Sequence, residues 1–82
     1  MIEVLYFAWL RERVGERSEM VETGAATVAE LVEELRTRSE AHALALSDMK
    51  SVRVAIDQDM ADMDAPLAGA REVAFFPPMT GG

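Results

Sequence analysis

Thr27-Val-Ala-Glu30 heads the one strongly amphipathic stretch of the chain, and strand-like segments lie on both sides of it. A threonine three residues ahead of a glutamate is a capping box: the hydroxyl accepts from the Glu30 amide while the Glu30 side chain reaches back. Val28, Leu31, Val32 and Leu35 follow at i, i+3, i+4 and i+7, so one stripe of a helix must be buried. One such helix can cover one face of one sheet, which restricts the chain to an α+β pair of layers. Glu34 and Arg38 stand at i, i+4 on the wet side, a spacing worth a few tenths of a kcal/mol as an ion pair. A second helical piece is expected over Glu40–Leu46, with Leu44 and Leu46 packing inward.

The strands follow from alternation. Ile2–Ala8 is rich in β-branched and aromatic residues; Glu3, Leu5 and Phe7 share one side, Ile2, Val4 and Tyr6 the other. Trp9–Val14 reads as a loop or short helical turn ended by Gly15. Arg17–Thr23 reads as a half-exposed edge strand joined to the first by a long hairpin. Val52–Ile56 is the third strand, with Val52, Val54 and Ile56 inward and Arg53 and Ala55 outward. Asp57-Gln58-Asp59 turns into a short strand near Met60–Met63, and Pro66–Ala70 is loop with Gly69 at its turn. Glu72–Phe76 is the last strand: Glu72 needs water, so Ala74 and Phe76 share its side and Val73 and Phe75 face the core.

Size sets the limits. With 82 residues there is one domain, expected over residues 1–76, and one modest core. There is no cysteine, hence no disulfide or thiolate metal site. No apolar stretch approaches the roughly 20 residues that span a bilayer, and no basic region precedes the first apolar run as a secretory signal requires. The expectation is a cytoplasmic protein without a membrane partner. A formal net charge of −7 argues against nucleic acid and suits a basic partner.

Beyond the last strand comes Pro77-Pro78-Met79-Thr80-Gly81-Gly82. The prolines favour extended geometry, and residues 77–82 form a tail that can reach roughly 20 Å. Two glycines in the last two places arise by chance about once in 200 chains. A terminal carboxylate is an anion at neutral pH and a poor acyl donor until activated. Attack on the α-phosphate of ATP gives an acyl-adenylate, from which a nucleophile displaces AMP. Glycine leaves the carbonyl open to both steps, so Gly82 is the expected reacting group and Pro77, Pro78, Met79, Thr80 and Gly81 the tail that inserts.

The segment Val73-Ala-Phe-Phe-Pro-Pro-Met-Thr-Gly-Gly82 resembles the C-terminal signature of molybdopterin synthase small subunits, the MoaD type of sulfur carrier in the MoaD/ThiS family. Val4-Leu-Tyr-Phe-Ala8, Leu10-Arg-Glu-Arg-Val-Gly15 and Val54-Ala-Ile-Asp-Gln58 extend the likeness over nearly the whole chain. Trp9, Asp57, Ala70-Arg71 and Met79 depart from the usual pattern, none of them at the tip. The resemblance implies a β-grasp, ubiquitin-like fold, with a mixed sheet covered on one face by helix and first and last strands parallel at its centre. It further implies that Gly82 is adenylated by an E1-like enzyme using ATP and becomes a thiocarboxylate with sulfur from a donor protein. That sulfur would pass to cyclic pyranopterin monophosphate in a pocket of the large subunit of a heterotetramer, for molybdenum cofactor biosynthesis. This chain would then be a non-catalytic subunit with no bound cofactor. Sulfur delivery to another pathway, such as thiazole synthesis, and conjugation to lysines as a ubiquitin-like modifier remain alternatives.

The uncovered sheet face carries Leu5, Phe7, Ala55, Ala74 and Phe76, joined by Met60 and rimmed by Glu3, Arg53 and Glu72. Such a patch marks a docking surface, with Phe7, Met60 and Phe76 as its anchors. Other constellations fail. Asp57, Asp59, Asp62 and Asp64 lack the glycine and glutamate of a calcium loop, because Asp62 and Ala68 stand there. His42 has neither a cysteine nor a second histidine and is assigned to a helix surface. No nucleophile elbow surrounds Ser18, Ser39, Ser47 or Ser51.

Overall fold

The computed structural model describes residues 1–78. In chain order the elements are β1 (Ile2–Tyr6), α1 (Trp9–Val14), β2 (Ser18–Val21), α2 (Val28–Arg36), α3 (Glu40–Ala45), a 3₁₀ turn (Met49–Ser51), β3 (Arg53–Ile56), β4 (Asp59–Ala61) and β5 (Glu72–Phe76). The five strands form one sheet in the order β2-β1-β5-β3-β4. Only the β1–β5 pair is parallel, and it lies at the centre as the resemblance implies. The roles expected of Met79, Thr80, Gly81 and Gly82 lie outside the described residues.

The core has one side. Val4, Tyr6, Val73 and Phe75 point from the central strands into a cluster closed by Leu10, Val28, Leu31, Val32, Leu35, Leu46 and Leu67. All four stripe residues of α2 are buried, each contributing roughly 1.5–3 kcal/mol relative to an exposed side chain. Ala55 and Ala74 are also buried but stand outside this cluster, on the far face of the sheet.

The start of α2 is held from two directions. Thr27 Oγ1 accepts from the Glu30 amide at 3.3 Å, while Glu30 Oε1 takes the amide of Ala26, also at 3.3 Å. The next two helical amides, Val28 and Ala29, donate to the carbonyls of Ala65 and Met63 at 3.1 and 2.8 Å. The link between β4 and β5 thus supplies acceptors for donors that a helix leaves unsatisfied. At the other end, Arg36 donates to the Leu46 carbonyl through Nε at 3.0 Å and Nη2 at 2.7 Å, tying α2 to the end of α3.

Several expectations are corrected. Strand β1 stops at Tyr6 because Ala8 takes φ 55° and ψ −132°, and the chain turns there into α1. Gly15 ends that helix in the left-handed region at φ 91°, returning its amide to the Arg11 carbonyl at 2.8 Å. Leu44 does not pack; it is 64% exposed, and α3 buries His42 and Ala45 instead. Glu34 pairs with the Thr23 hydroxyl rather than with Arg38, which turns toward Glu19 at 3.5 Å. Ala55 points outward as expected yet is buried, since its methyl is too short to rise above its neighbours.

Candidate docking face and the base of the tail

Strand pairing lays the uncovered face out in rows. Glu72 stands beside Glu3 and Glu3 beside Met20, giving an acidic row that ends in a thioether. The next row runs Met60, Ala55, Ala74, Leu5, Ser18 across all five strands. In the third, Arg53 pairs with Phe76, and one step beyond the Tyr6–Phe75 pair brings Phe7 alongside. The sequence alternation of β1 and β5 sets these residues on one side. Ala55 and Ala74 make the middle low, so the larger side chains border a trough.

That trough is an open groove of about 680 Å³ lined by Leu5, Phe7, Gln58, Glu72, Ala74, Phe76 and Pro77. Phe7 is 47% exposed and Phe76 half-buried, and both line it, as expected from the sequence. Met60 is different. It is 67% exposed and on the same face, opposite Ala55, but it borders a separate hollow with Met49 and Met63 at the outer edge of the sheet. The predicted anchors are therefore one adjacent aromatic pair and one methionine beyond β3.

Phe7 is placed by backbone. Its amide donates to the Phe75 carbonyl at 3.1 Å and its carbonyl accepts from Leu10 at 3.1 Å, with the strained Ala8 between. Behind Ala8, the Arg13 guanidinium lies 4.8 Å from the Trp9 ring centre, a cation–π contact holding the start of α1. The hairpin at the other edge of the groove turns through Asp57 and Gln58, both at positive φ (49° and 73°), as a two-residue turn that keeps the sheet twist requires. Asp57 Oδ1 accepts from the amides of Arg71 at 3.0 Å and Glu72 at 2.9 Å, fixing the first residue of β5. Pro77 and Pro78, half-buried, leave the sheet directly after Phe76.

A polar cluster lies on the helical side, and local sequence gave no sign of it. Glu19 Oε2 accepts from the Tyr6 hydroxyl at 2.8 Å and stands 2.7 Å from His42 Nε2, while His42 Nδ1 meets Ser39 Oγ at 2.7 Å. His42, assigned to a helix surface from the sequence, is only 7% exposed, because Glu19 reaches it from β2. Burial, then the hydrogen bond to Glu19, pushes the Tyr6 phenol far above its usual range, so Tyr6 remains a donor. Ser39 Oγ also accepts the His42 amide at 3.1 Å, which makes it a helix cap.

Together these features define a ubiquitin-like β-grasp protein with one uncovered sheet face that is apolar at its middle. The ThiS family model matches residues 4–82, and the chain belongs to that family. It is 44% identical to the molybdopterin synthase sulfur carrier subunit of Escherichia coli (strain K12), over 82 residues that cover 100% of each chain. The same subunit of Haemophilus influenzae (strain ATCC 51907 / DSM 11121 / KW20 / Rd) is 38% identical, again over 100% of both. Among solved structures, SAMP1 from Haloferax volcanii superposes with a TM-score of 0.75 at 30% identity, covering 99% of this chain and 98% of that one. No helix among the described residues is long and apolar enough to cross a membrane.

Proposed function

We propose that this chain is the sulfur-carrier subunit of a molybdopterin synthase. The observation that carries the reading is 44% identity, over every residue of both chains, to a protein of that name. The geometry supports it: the strand that ends at Phe76 runs at the sheet centre and passes into Pro77 beside an apolar groove. Docking through Phe7, Phe76 and Met60 aims the tail, and the body of the domain acts as its holder.

In this reading an E1-like adenylating enzyme activates the Gly82 carboxylate. One carboxylate oxygen attacks the α-phosphate of ATP and pyrophosphate leaves. Hydrosulfide, released from a donor protein's persulfide by a thiol that is oxidised to a disulfide, then attacks the carbonyl carbon, AMP departs with the former carboxylate oxygen, and a thiocarboxylate remains. The loaded tail, Pro77 through Gly82, enters the large subunit, where sulfur bonds to a pyranopterin carbon as an oxygen substituent leaves as water, and hydrolysis of the acyl–sulfur bond returns the carboxylate. ATP is consumed by the activating enzyme, and this chain needs no resident cofactor.

Intact mass spectrometry after incubation with ATP, the cognate adenylating enzyme and sulfide tests the central step. Exchange of oxygen for sulfur adds about 16 Da to a covalently activated acyl group. An unchanged mass, with an enzyme that loads another carrier under the same conditions, overturns the reading. Isopeptide-linked adducts of the chain in cell extract, without a thiocarboxylate, would place it instead among protein modifiers.

A further inference from the structure

The acidic row of the docking face is built in an unfavourable way. Glu3 and Glu72 are direct neighbours on paired parallel strands, on the same side of the sheet, and both are half-buried. Like charges placed opposite each other destabilise a sheet. Among the described residues neither carboxylate is in an ion pair. Arg71 lines the same hollow with Glu3, Asp57, Gln58 and Glu72, but its guanidinium pairs with neither. Asp57 is already occupied by two backbone amides.

This row is continuous with the apolar groove, because Glu72 lines both. At the opposite end stands Arg53, exposed, paired with Phe76, and also outside any ion pair among the described residues. The face is therefore polarised along β5: negative at the start of the strand, apolar in the middle, positive where the tail leaves. Phe76 lies four residue steps beyond Glu72, about 13 Å along a strand. Met20, beside Glu3 and 56% exposed, extends apolar surface under the acidic row, as the stem of a long basic side chain would require.

We infer that the docking face selects a partner surface that lays an arginine or lysine across the Glu3–Glu72 pair, fills the groove with apolar side chains, and presents a carboxylate to Arg53. This rests on the sulfur-carrier reading and specifies the charge pattern of the surface that the large subunit brings. The polarity fixes the direction of docking: only one orientation matches both ends, and it sends the tail away from the partner's basic residue. Rotating the partner by half a turn would set like charges together at both ends.

The test is titration calorimetry of the full chain against the molybdopterin synthase large subunit, at about 50 and 500 mM salt. Glu3→Gln and Glu72→Gln are each expected to weaken binding several-fold at low salt, and Glu72→Lys by 10-fold or more, with the differences shrinking at high salt. Glu3→Gln relieves the repulsion, so its melting temperature should rise while its affinity falls, a combination that misfolding cannot produce. Phe76→Ala serves as the control for docking itself. If it weakens binding by roughly 30-fold or more while the glutamine variants bind as the parent does with the same salt slope, the charge inference is wrong and the carrier reading survives. If the parent chain binds no such large subunit, both fall.

Discussion

Glu19 on β2 and His42 on α3, 23 residues apart in sequence, meet at 2.7 Å, and the same carboxylate oxygen takes the Tyr6 hydroxyl. One acidic side chain thereby joins the edge strand, the central strand and a helix whose own six residues are too few to be stable alone.

Burial pushes the Glu19 carboxyl up, but hydrogen bonds from His42 and Tyr6, with the attraction of His42 and Arg38, outweigh it and hold the group below its ordinary value. A depressed carboxyl contributes stability that is fully present above the unfolded value of about 4.3 and is lost as pH falls through the folded value. Glu19→Gln is expected to cost about 1–3 kcal/mol at pH 7. Melting followed by circular dichroism from pH 7 downward checks this, and parent and variant should converge once the pH has fallen below the folded value of Glu19. A gap that persists in acid would mean that the charge is not what stabilises the cluster.

Phe75 and Phe76 are adjacent on β5 and face opposite ways, so their alanine variants should fail differently. Phe75 is fully buried and stacks on Tyr6 with ring centres 6.2 Å apart. Its removal is expected to cost about 3–5 kcal/mol and to leave little folded protein. Phe76→Ala should melt within about 0.5 kcal/mol of the parent. Its affinity for the large subunit should fall by roughly 30-fold or more, the loss of a hot-spot aromatic. Chemical denaturation and calorimetry on the two variants separate the effects.

Gln58 at φ 73° occupies a position that glycine fills without strain. Gln58→Gly is expected to stabilise the chain by about 1 kcal/mol, or roughly 4–8 °C in a domain of this size. Asp57→Ala should act in the opposite sense, because it strands the amides of Arg71 and Glu72. Thermal melts of both variants decide, and a loss of stability in the glycine variant would refute the assignment of the turn.

A chain extended by two residues beyond Gly82, in a host without a trimming protease, should fold and dock yet show no gain of about 16 Da when offered ATP, activating enzyme and sulfide. Sulfur loading of the extended chain would remove the terminal carboxylate from the mechanism.

Alternation made the uncovered sheet face legible: placing Glu72 in water was enough to send Ala74 and Phe76 outward and Val73 and Phe75 inward, as they are. The capping box and apolar stripe marked α2 for the same reason, since both signals are local. Helix α3 and the burial of Leu46 were legible, but the placement of Leu44 and His42 was not, because it depends on a distant partner. Glu19 makes His42 an interior residue and turns Leu44 to solvent, and nothing within Glu40–Ala45 announces it. The positive φ at Ala8 was equally hidden, being imposed by the strand on one side and the helix on the other rather than by the residue. That Met60 borders its own hollow followed from strand order, which alternation alone does not reveal.

Because β5 is flanked on both sides by other strands, its backbone amides belong among the last in the molecule to exchange with solvent. Local breathing at the edges, in β2 or β4, leaves the mooring of the tail untouched, whereas any opening that frees the tail's root dismantles the domain. A strand damaged here is thus lost with the domain as a whole, and under the proposed sulfur-carrier reading a loosened body would not go on offering a loaded end.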